Sequence, residues 1–403
     1  MRTLFYSHDS YGLGHVRRSI SIADSLLRNI PGSSALMLTG APRAHYFHYP
    51  PRCDYVKLPS VTKAPDGRYV SGGIDMSLER TIRLRSRLIH ETASWFHPQV
   101  VLVDHAPLGL CGEVLPTLGA LSRFRPRAHR VLGLRDVIDE PKVVKAAWAR
   151  EGVIEVLRSC YDLILVYGQQ EMFDPIRAYD LPPDVARKIE FVGYIRREGK
   201  KIETMDLRSR FAPRTGQLVV VTLGGGGDGN VLLRSFFEGY EALGKSSPFE
   251  VVAVTGPLMS PKKRARFQAW ASKLEGVTVL EYMNELPDLF EASSFVVSMG
   301  GYNTVCELAC AGARALIVPR VFPRKEQLFR VRLLADRGMV RFLTPKEATP
   351  SALMREVSRG LKGPRPPRGW GLDFRGLEKT VRGLRSPMPH FAFPLAVGTA
   401  PPA

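Results

Sequence analysis

The sequence predicts an α/β protein built from two doubly wound, Rossmann-like domains that face each other across a cleft. Segments of β and α character alternate from the first residues, which is typical of parallel sheets covered by helices on both faces. A chain of 403 residues is too long for one typical core and suits two domains of similar size. A polar stretch at residues 193–213 interrupts the alternation, and a second β/α series follows it. Ligands of such folds bind beyond the carboxyl ends of the strands, so we expect the active site in the cleft.

Apolar runs bounded by turn residues predict the strands of the first half, and longer periodic segments predict its helices. The strands are expected at Thr3–Ser7, Ala35–Thr39, Val100–Asp104, Arg130–Leu134 and Leu163–Tyr167. The helices are expected at Val16–Asn29, Leu78–Phe96, Gly112–Leu121 and Lys142–Arg158. We assign residues 1–195 to the first domain and residues 196–214 to an interdomain crossover.

The second half repeats the same alternation. Its strands are expected at Gln217–Leu223, Glu250–Thr255, Val277–Glu281, Phe295–Ser298, Ala315–Val318 and Val340–Leu343, with helices at Val231–Leu243 and Lys262–Lys273. We assign residues 215–362 to the second domain. Residues 363–386 are expected to form a second crossover with a last helix at Leu377–Leu384, and the proline-rich residues 387–403 are expected to be disordered.

The most informative motif is a glycine turn between a strand and a helix. Ser298–Gly301 ends an apolar run, and its two glycines let a ligand approach the backbone closely. A helix that begins at Tyr302 would direct its free N–H groups and positive dipole end toward an anion. Glu307 shares a helical face with Asn303 and Thr304, where a carboxylate suits hydroxyl groups. Amides for a diphosphate and a carboxylate for ribose hydroxyls are what a nucleotide-sugar requires.

The same segment resembles the donor-binding region of inverting GT-B glycosyltransferases. The nearest likeness is to family 28-like enzymes similar to the peptidoglycan N-acetylglucosaminyltransferases that form lipid II. The matching residues are Gly300 to Ala309, then Gly312, Pro319, Glu326 and Gln327. The resemblance covers most of residues 1–360 but reaches motif level only around Gly12–His15, Gly224–Gly227 and Ser298–Gln327.

The resemblance implies a reaction and two sides of a cleft. We expect transfer of a hexose or N-acetylhexosamine, with inversion, from a nucleotide-diphospho-sugar to an acceptor hydroxyl. The nucleotide is expected to be UDP. The donor would lie on the second domain and the acceptor would enter from the first. In such enzymes a C-terminal helix packs back on the first domain, and we expect the same of the helix at Leu377–Leu384.

The resemblance also implies a catalytic base. In these enzymes a glycine-rich turn that ends in histidine faces the acceptor, and here that turn ends at His15. A neutral imidazole accepts a hydroxyl proton near pH 7. Asp104, which closes a strand, is the candidate for orienting His15, by analogy with the His–Asp dyads of some GT-B enzymes. The alternatives are that His15 only shapes the turn and that Asp104 is a helix cap or a structural acid. Gly12 and Gly14 are assigned to the acceptor side.

The remaining expected contacts belong to the donor. Gly225, Gly226, Gly301 and Asn303 are assigned to the diphosphate, Glu307 to ribose, and Glu326 and Gln327 to the donor sugar. The complete expected donor set is Gly225, Gly226, Thr255, Met283, Ser298, Gly300, Gly301, Asn303, Thr304, Glu307, Glu326 and Gln327.

Two other glycine motifs compete with this interpretation. Gly224–Gly229 matches G-x-G-x-x-G, but a dinucleotide site also needs an acid at the end of the next strand, and Glu250 begins that strand instead. Gly239–Ser246 matches the phosphate-loop pattern but falls at the end of a predicted helix, so we reject it as an ATP site. The open alternatives are an NAD-dependent oxidoreductase, a non-hydrolysing UDP-sugar epimerase of the same fold and a non-catalytic UDP-sugar sensor.

Two absent patterns bear on the reaction type. The sequence contains no Asp-x-Asp, which is the usual metal-diphosphate ligand pair of the GT-A class. Glu307 could be the second glutamate of the E-x7-E pattern of many retaining enzymes, but the first would fall at position 299, which is Met299. We therefore expect inversion without a bound metal or other cofactor. The five cysteines are scattered and do not indicate a metal site.

The net charge of +18 is spread over both halves of the chain. The densest basic feature is the group Arg80, Arg83, Arg85 and Arg87 in the helix predicted at Leu78–Phe96. Arg80, Arg83 and Arg87 share one helical face, which is either solvated or a contact for an anionic acceptor or lipid headgroup, and Arg83 is assigned to the acceptor side. No motif for nucleic acid accompanies the charge. Without a membrane-length apolar run or signal peptide, we expect a cytoplasmic protein, with peripheral contact at the inner face of an anionic membrane as an option.

Overall fold

The computed structural model describes residues 1–8, 14–64, 68–123, 127–196, 202–322 and 324–385. These residues form two α/β domains, each built around a parallel sheet with helices on its faces. The predicted fold class is confirmed. Gly12 and residues 387–403 lie outside the described residues.

The first sheet has the strand order β3-β2-β1-β6-β7-β8-β9, and all of its pairs are parallel. A separate antiparallel hairpin pairs β4 with β5. The strands are β1 Arg2–Ser7, β2 Ser34–Thr39, β3 Cys53–Lys57, β4 Val61–Lys63, β5 Tyr69–Ser71, β6 Val100–Asp104, β7 His129–Arg135, β8 Leu163–Tyr167 and β9 Ile189–Phe191.

The second sheet has the strand order β12-β11-β10-β13-β14-β15, again with parallel pairs. Its strands are β10 Leu218–Thr222, β11 Glu250–Val254, β12 Val277–Leu280, β13 Phe295–Ser298, β14 Ala315–Ile317 and β15 Arg341–Phe342. Central strands such as β10 are buried along their whole length, as their continuous apolar sequence predicts.

The helices of the first half are α1 Gly14–Asn29, α2 Leu78–Phe96, α3 Leu115–Leu121, α4 Pro141–Glu151, α5 Val153–Cys160, α6 Pro175–Ala178 and α7 Pro183–Ala186. Those that follow are α8 Thr204–Phe211, α9 Asn230–Ala242, α10 Pro261–Ala271, α11 Leu286–Ala292, α12 Tyr302–Ala311, α13 Glu326–Ala335, α14 Pro350–Lys362 and α15 Gly376–Arg385.

Local chemistry explains where several helices start and stop. The Ser77 side chain accepts a hydrogen bond from the backbone N–H of Arg80 and so caps the start of α2. The single helix predicted at Lys142–Arg158 is wrong, because Gly152 adopts a left-handed conformation with φ of 66° and divides it into α4 and α5.

The polar crossover is more regular than its composition indicates. Part of it forms α8, in which Leu207 and Phe211 are buried. The last helix, α15, packs against α1 and β8 of the first domain. A Cβ added at Gly383 would lie 3.2 Å from Leu165 Cδ2, so α15 approaches β8 closely. The predicted return of the last helix to the first domain is confirmed.

The arginine-rich helix α2 is not basic on all of its faces. Arg80, Arg83 and Arg87 are exposed, but Arg85 is completely buried. Its guanidinium binds Glu113 through two hydrogen bonds, Nε to Oε2 at 2.6 Å and Nη2 to Oε1 at 2.5 Å. Arg85 therefore lies on the stripe that packs into the domain, away from the face that Arg80, Arg83 and Arg87 share.

Replacing Glu113 by alanine should cost about 3–5 kcal/mol in the free energy of unfolding, because it leaves the Arg85 charge buried without its partner. Urea denaturation monitored by circular dichroism measures this difference. The matched control is Glu79→Ala, whose pair with Arg83 on the same helix is exposed, and it should change stability by less than about 1 kcal/mol. Equal effects of the two substitutions would contradict the structural role of the buried pair.

Candidate active site

A histidine–aspartate pair lies in the cleft at the carboxyl edge of the first sheet. His15 stands in the first turn of α1, and Asp104 is the last residue of β6. His15 Nδ1 lies 2.6 Å from Asp104 Oδ2, and both side chains are buried. The structure thus brings together the two residues expected to form the catalytic dyad.

Arg18 fixes the charge of the aspartate. Its guanidinium donates to both carboxylate oxygens of Asp104, from Nε to Oδ1 at 2.9 Å and from Nη2 to Oδ2 at 2.7 Å. Burial raises the pKa of Asp104, but the Arg18 charge and the hydrogen bond from His15 outweigh it, so the pKa lies below its usual value. The ionised carboxylate can only accept a hydrogen bond. His15 must therefore donate from Nδ1, which leaves the lone pair of the neutral imidazole on Nε2.

Arg135 covers the atom that would act as the base. It is the last residue of β7, and its Nη2 lies 2.8 Å from His15 Nε2. With the lone pair on Nε2, the guanidinium is the donor of this hydrogen bond. Burial and the nearby charges of Arg18 and Arg330 lower the pKa of Arg135. Sequence reasoning missed this residue, although its place as the last residue of a parallel strand is the same signal that identified Asp104.

Two further histidines flank His15. The rings of His8 and His105 each have their centroids 5.1 Å from that of His15. Burial is the main cause that lowers the pKa of both residues, and the neighbouring His15 adds to it. Neutral rings on both sides restrict the motion of His15 without adding charge beside it. Neither residue was predicted as part of the site.

The two glycine turns of the second domain meet at one place. Strand β10 pairs with β13, with Thr222 opposite Ser298, so the turns that follow these strands are neighbours. A Cβ added at Gly224 would lie 3.6 Å from Thr304 Oγ1. At Gly226, with φ of 87°, a Cβ would lie 2.1 Å from the Thr255 carbonyl oxygen, so only glycine fits this approach. The turns and the start of α12 form one surface, as expected for a phosphate site.

The start of α12 directly contacts α1, the helix that carries His15. Asn303 Nδ2 donates to the Gly14 carbonyl at 3.3 Å, across the two domains. Arg18 lies between two tyrosine rings, with its Cζ 5.0 Å from the centroid of Tyr167 and 5.5 Å from that of Tyr302. Tyr302 OH donates to the Tyr167 carbonyl at 2.9 Å. The amide of Asn303, predicted to hold the diphosphate, thus binds the first domain in this structure.

Arg320 links the glycine turn to α13. Its guanidinium binds Glu326 Oε1 at 2.5 Å and Asp228 Oδ2 at 3.3 Å, and its backbone N–H donates to Gln327 Oε1 at 3.0 Å. Glu326 and Gln327 therefore position a cation beside the predicted diphosphate site. Gly300 packs against the same helix, because a Cβ there would lie 3.5 Å from that of Gln327. Sequence reasoning did not assign Arg320.

Other predicted donor residues occupy distinct environments. Glu307 lies on α12, one turn beyond Asn303, and is 8% exposed. The Thr255 hydroxyl donates to the Leu280 carbonyl at 3.2 Å and the Ser298 hydroxyl to the Met299 carbonyl at 3.0 Å, within the protein. Met283 is partly buried against the core. For these residues, and for Gly225, Gly301 and Thr304, contact with a donor remains a prediction.

The acceptor-side residues are less closely grouped. Gly14 begins α1 beside His15. Arg83 lies on the exposed face of α2 and pairs there with Glu79. Among the described residues, no three His, Cys, Asp or Glu side chains are grouped so as to hold a metal ion. Within those same ranges, no helix has the length and apolar character needed to cross a membrane.

The competing glycine motifs lack the surroundings that their ligands need. Glu250 lies at the amino end of β11, where its carboxylate accepts hydrogen bonds from the backbone of Arg214 and Thr215, far from the glycine turn. The phosphate-loop match at Gly239–Ser246 contains the end of α9 and a short 3-10 helix in place of a strand and loop. Neither motif forms the site that its pattern requires.

Residues 219–367 match the family model of the glycosyltransferase family 28 C-terminal domain. The UDP-N-acetylglucosamine--N-acetylmuramyl-(pentapeptide) pyrophosphoryl-undecaprenol N-acetylglucosamine transferase of Mannheimia succiniciproducens is 25% identical over 250 residues, which cover 62% of this chain and 68% of that protein. The crystal structure of MurG from Acinetobacter baumannii aligns with 14% identity and a TM-score of 0.58, over 95% of this chain and 98% of that one. The UDP-GlcNAc 2-epimerase of Methanocaldococcus jannaschii aligns with 11% identity and a TM-score of 0.60, also over 95% and 98%.

Replacing Asp104 by asparagine should lower the free energy of unfolding at neutral pH by about 3–5 kcal/mol, because Arg18 loses its buried counter-ion. The pKa of Asp104 is lowered in the folded state, so its contribution is complete above the unfolded value near about 4 and is lost as the pH falls toward the folded value. The difference between wild type and variant should therefore shrink below about pH 4. Urea denaturation across a pH series tests this, with Asp24→Asn, in an exposed pair on α1, as the control. A difference that does not change with pH would contradict it.

Proposed function

Because the chain is a GT-B glycosyltransferase related to MurG-type enzymes, we propose that it transfers a hexose or N-acetylhexosamine from a UDP-sugar to an acceptor hydroxyl with inversion. The observation that carries the proposal is the contact between α1, which holds His15, and the start of α12, where the glycine turns meet. The base and the expected donor cradle are thus neighbours across the cleft. The Mannheimia relative is named for UDP-N-acetylglucosamine, which makes that sugar nucleotide the first donor to test.

In the proposed reaction, His15 Nε2 takes the proton of the acceptor hydroxyl. The acceptor oxygen forms its bond to the anomeric carbon while the bond from that carbon to the diphosphate oxygen breaks, and the diphosphate leaves with the electron pair. A single displacement from the opposite side inverts the anomeric centre. Asp104 stabilises the imidazolium that forms, because its carboxylate already binds Nδ1. Arg18 keeps that carboxylate ionised and in place.

The Arg135 guanidinium occupies the position that the acceptor hydroxyl needs beside His15 Nε2. A hydroxyl must come within about 2.6–3.2 Å of Nε2 to give up its proton, and Arg135 Nη2 occupies that distance in this structure. Binding of the acceptor therefore requires the guanidinium to leave Nε2, after which it lies beside the acceptor. A cation at this point favours an anionic acceptor.

We assign stabilisation of the negative charge on the leaving diphosphate to three groups. The backbone amides of the turn at Gly224–Gly226 and the N-terminus of α12 supply oriented donors. Arg320, held by Glu326 and Asp228, supplies a full positive charge nearby. We assign charge compensation to these groups instead of to a metal ion, and binding of the ribose hydroxyls to Glu307.

The acceptor is proposed to be anionic or lipid-linked, and the protein to act in the cytoplasm at the inner face of the membrane. The name of the Mannheimia relative includes a pyrophosphoryl-undecaprenol group. On this chain, α2 presents Arg80, Arg83 and Arg87 on an exposed face together with Leu84, which is 37% exposed. This mixture of cations and an apolar side chain suits an anionic lipid surface.

A non-hydrolysing epimerase is the second candidate, because an epimerase structure shares the fold over nearly the whole chain. An epimerase needs no acceptor. Incubation with UDP-N-acetylglucosamine alone, followed by chromatography of the sugar nucleotide, separates the two functions. An epimeric product formed without acceptor would exclude transfer as the main activity, and UDP release that depends on an acceptor supports it.

Replacing His15 by alanine should reduce the rate of transfer by about 10²–10⁴-fold, because the acceptor loses its general base. The affinity for UDP should stay nearly unchanged, since His15 belongs to the first domain. Coupled measurement of UDP release and calorimetric titration with UDP give the two quantities. His48→Ala, at an exposed position of the same domain, is the control and should leave both unchanged. Retained turnover in His15→Ala would dismiss this residue as the base.

Replacing Glu307 by alanine should weaken UDP binding by about 1–3 kcal/mol, through loss of a charged hydrogen bond to ribose. Calorimetric titration with UDP measures the change, and titration with inorganic diphosphate, which has no ribose, should show none. Glu238→Ala, at an exposed position on α9, serves as the control. Unchanged affinity for UDP in the Glu307 variant refutes the ribose assignment.

A further inference from the structure

A second polar recess lies at the opposite edge of the second sheet from the cleft. It opens at the amino ends of β10, β13 and β14 and has a volume of about 170 Å³. The strands between the two edges are four to five residues long, which separates the recess from the glycine turns by roughly 15 Å. Its polar lining consists of Arg208, Arg314, Arg365, Gln217, Ser293 and Ser294. No carboxylate belongs to the lining within the described residues.

The three arginines come from three separate parts of the chain. Arg208 lies on α8, shortly after the chain leaves the first domain. Arg365 lies after α14, on the segment that leads back to α15 and the first domain. Arg314 directly precedes β14 in the second domain. The recess therefore joins both connections between the domains to the amino edge of the second sheet.

Part of each guanidinium already binds backbone carbonyls. Arg208 Nε donates to the Ala292 carbonyl at 2.8 Å, and Arg314 Nη1 donates to the Leu361 carbonyl at 2.9 Å. Arg365 Nη2 donates to the Glu291 carbonyl at 2.7 Å. These carbonyls lie at or near the ends of α11 and α14, where the helix dipole is negative. Each acceptor carries only a partial charge, so the three full positive charges are not neutralised by them.

Several donors remain available for a ligand. Among the described residues, no acceptor binds either terminal nitrogen of Arg208, Nη2 of Arg314 or Nη1 of Arg365. Arg314 Nε is buried and likewise has no partner there. Glu291, the nearby acid, forms an ion pair with Arg368. Burial lowers the pKa of Arg365, and the charges of Arg208 and Arg314 lower it further, which reports their mutual repulsion.

We propose that this recess is an anion site that binds a phosphate group, held by Arg208, Arg314 and Arg365. Guanidinium groups bind phosphate oxygens through paired charged hydrogen bonds, and the space far exceeds that of one water molecule. A bound phosphate removes the repulsion between the three cations and ties both interdomain connections to the second sheet. The ligand is either free inorganic phosphate or the phosphate of a small phosphorylated metabolite. This site is independent of the proposed transfer reaction.

Thermal unfolding of the full chain in increasing phosphate, at constant ionic strength and with saturating UDP to occupy the donor site, tests the proposal. The unfolding temperature should rise with phosphate and reach a plateau, and chloride should not reproduce the rise. Arg314→Gln and Arg365→Gln should each raise the half-saturating phosphate concentration by about tenfold or more, the effect of one lost charged hydrogen bond. Arg359→Gln, at an exposed position on α14, should behave like wild type. If Arg314→Gln does not fold, the exposed Arg365 supplies the second variant.

Amide hydrogen exchange shows which segments of the chain are stabilised by phosphate. Phosphate should slow amide exchange in α8 and in residues 363–367 together, in wild type and not in Arg365→Gln. Glucose 6-phosphate and glucose 1-phosphate in the same titration distinguish the two sources, since a half-saturating concentration below that of inorganic phosphate identifies a phosphorylated metabolite. The absence of a plateau, or an equal shift in wild type and both arginine variants, overturns the proposal.

Discussion

The arrangement of side chains on the His15 side of the cleft depends on the carboxylate of Asp104. It is buried at the end of a central strand, where an unpaired charge is costly, and Arg18 and His15 together satisfy it. This arrangement determines the charge of the aspartate, the tautomer of His15 and the direction in which Nε2 points. Each property follows from the same set of hydrogen bonds, so none of them can change alone.

The same arginine connects this half of the cleft to the other. Arg18 stacks on Tyr302, the first residue of the helix whose N-terminus lies at the glycine turns, and the next residue, Asn303, binds the backbone at the start of α1. Two adjacent residues of α12 thus contact Arg18 and Gly14, the residue before His15. A movement between the domains would therefore change the contacts of Arg18 and of the backbone beside His15 directly.

Much of the fold was predictable because buried parallel strands have continuous apolar sequences. The elements that were missed are those without this property. Strand β3 lies at a sheet edge and its sequence Cys-Asp-Tyr-Val-Lys is only partly buried, and the short β9 is similar. Arg85 lies on the same helical stripe as Thr81 and Ile89, so its burial follows the helical period. Its pairing with Glu113 depends on tertiary packing, which a local sequence pattern does not reveal.

The site was predictable to the extent that each residue belongs to a local motif. His15, Asp104 and the glycine turns follow strands, and the structure places them at two adjoining sheet edges. Arg135 and Arg320 also follow strands, but arginine is common in this basic chain, so its position alone did not distinguish them from surface residues. The contacts of Asn303 and Tyr302 with the first domain depend on how the domains meet and have no local signature.

The hydrogen bond from Arg135 to His15 Nε2 affects how easily water could react with a bound sugar donor. An activated sugar held beside an unoccupied general base is exposed to attack by water, which wastes the donor. Here Arg135 engages the Nε2 lone pair of His15 until another molecule displaces the guanidinium. Water competes poorly with a guanidinium for this position, whereas an acceptor that brings its own negative charge gains a partner in Arg135 as it frees the base. Under the proposed mechanism, this resting geometry limits hydrolysis of the donor before an acceptor binds.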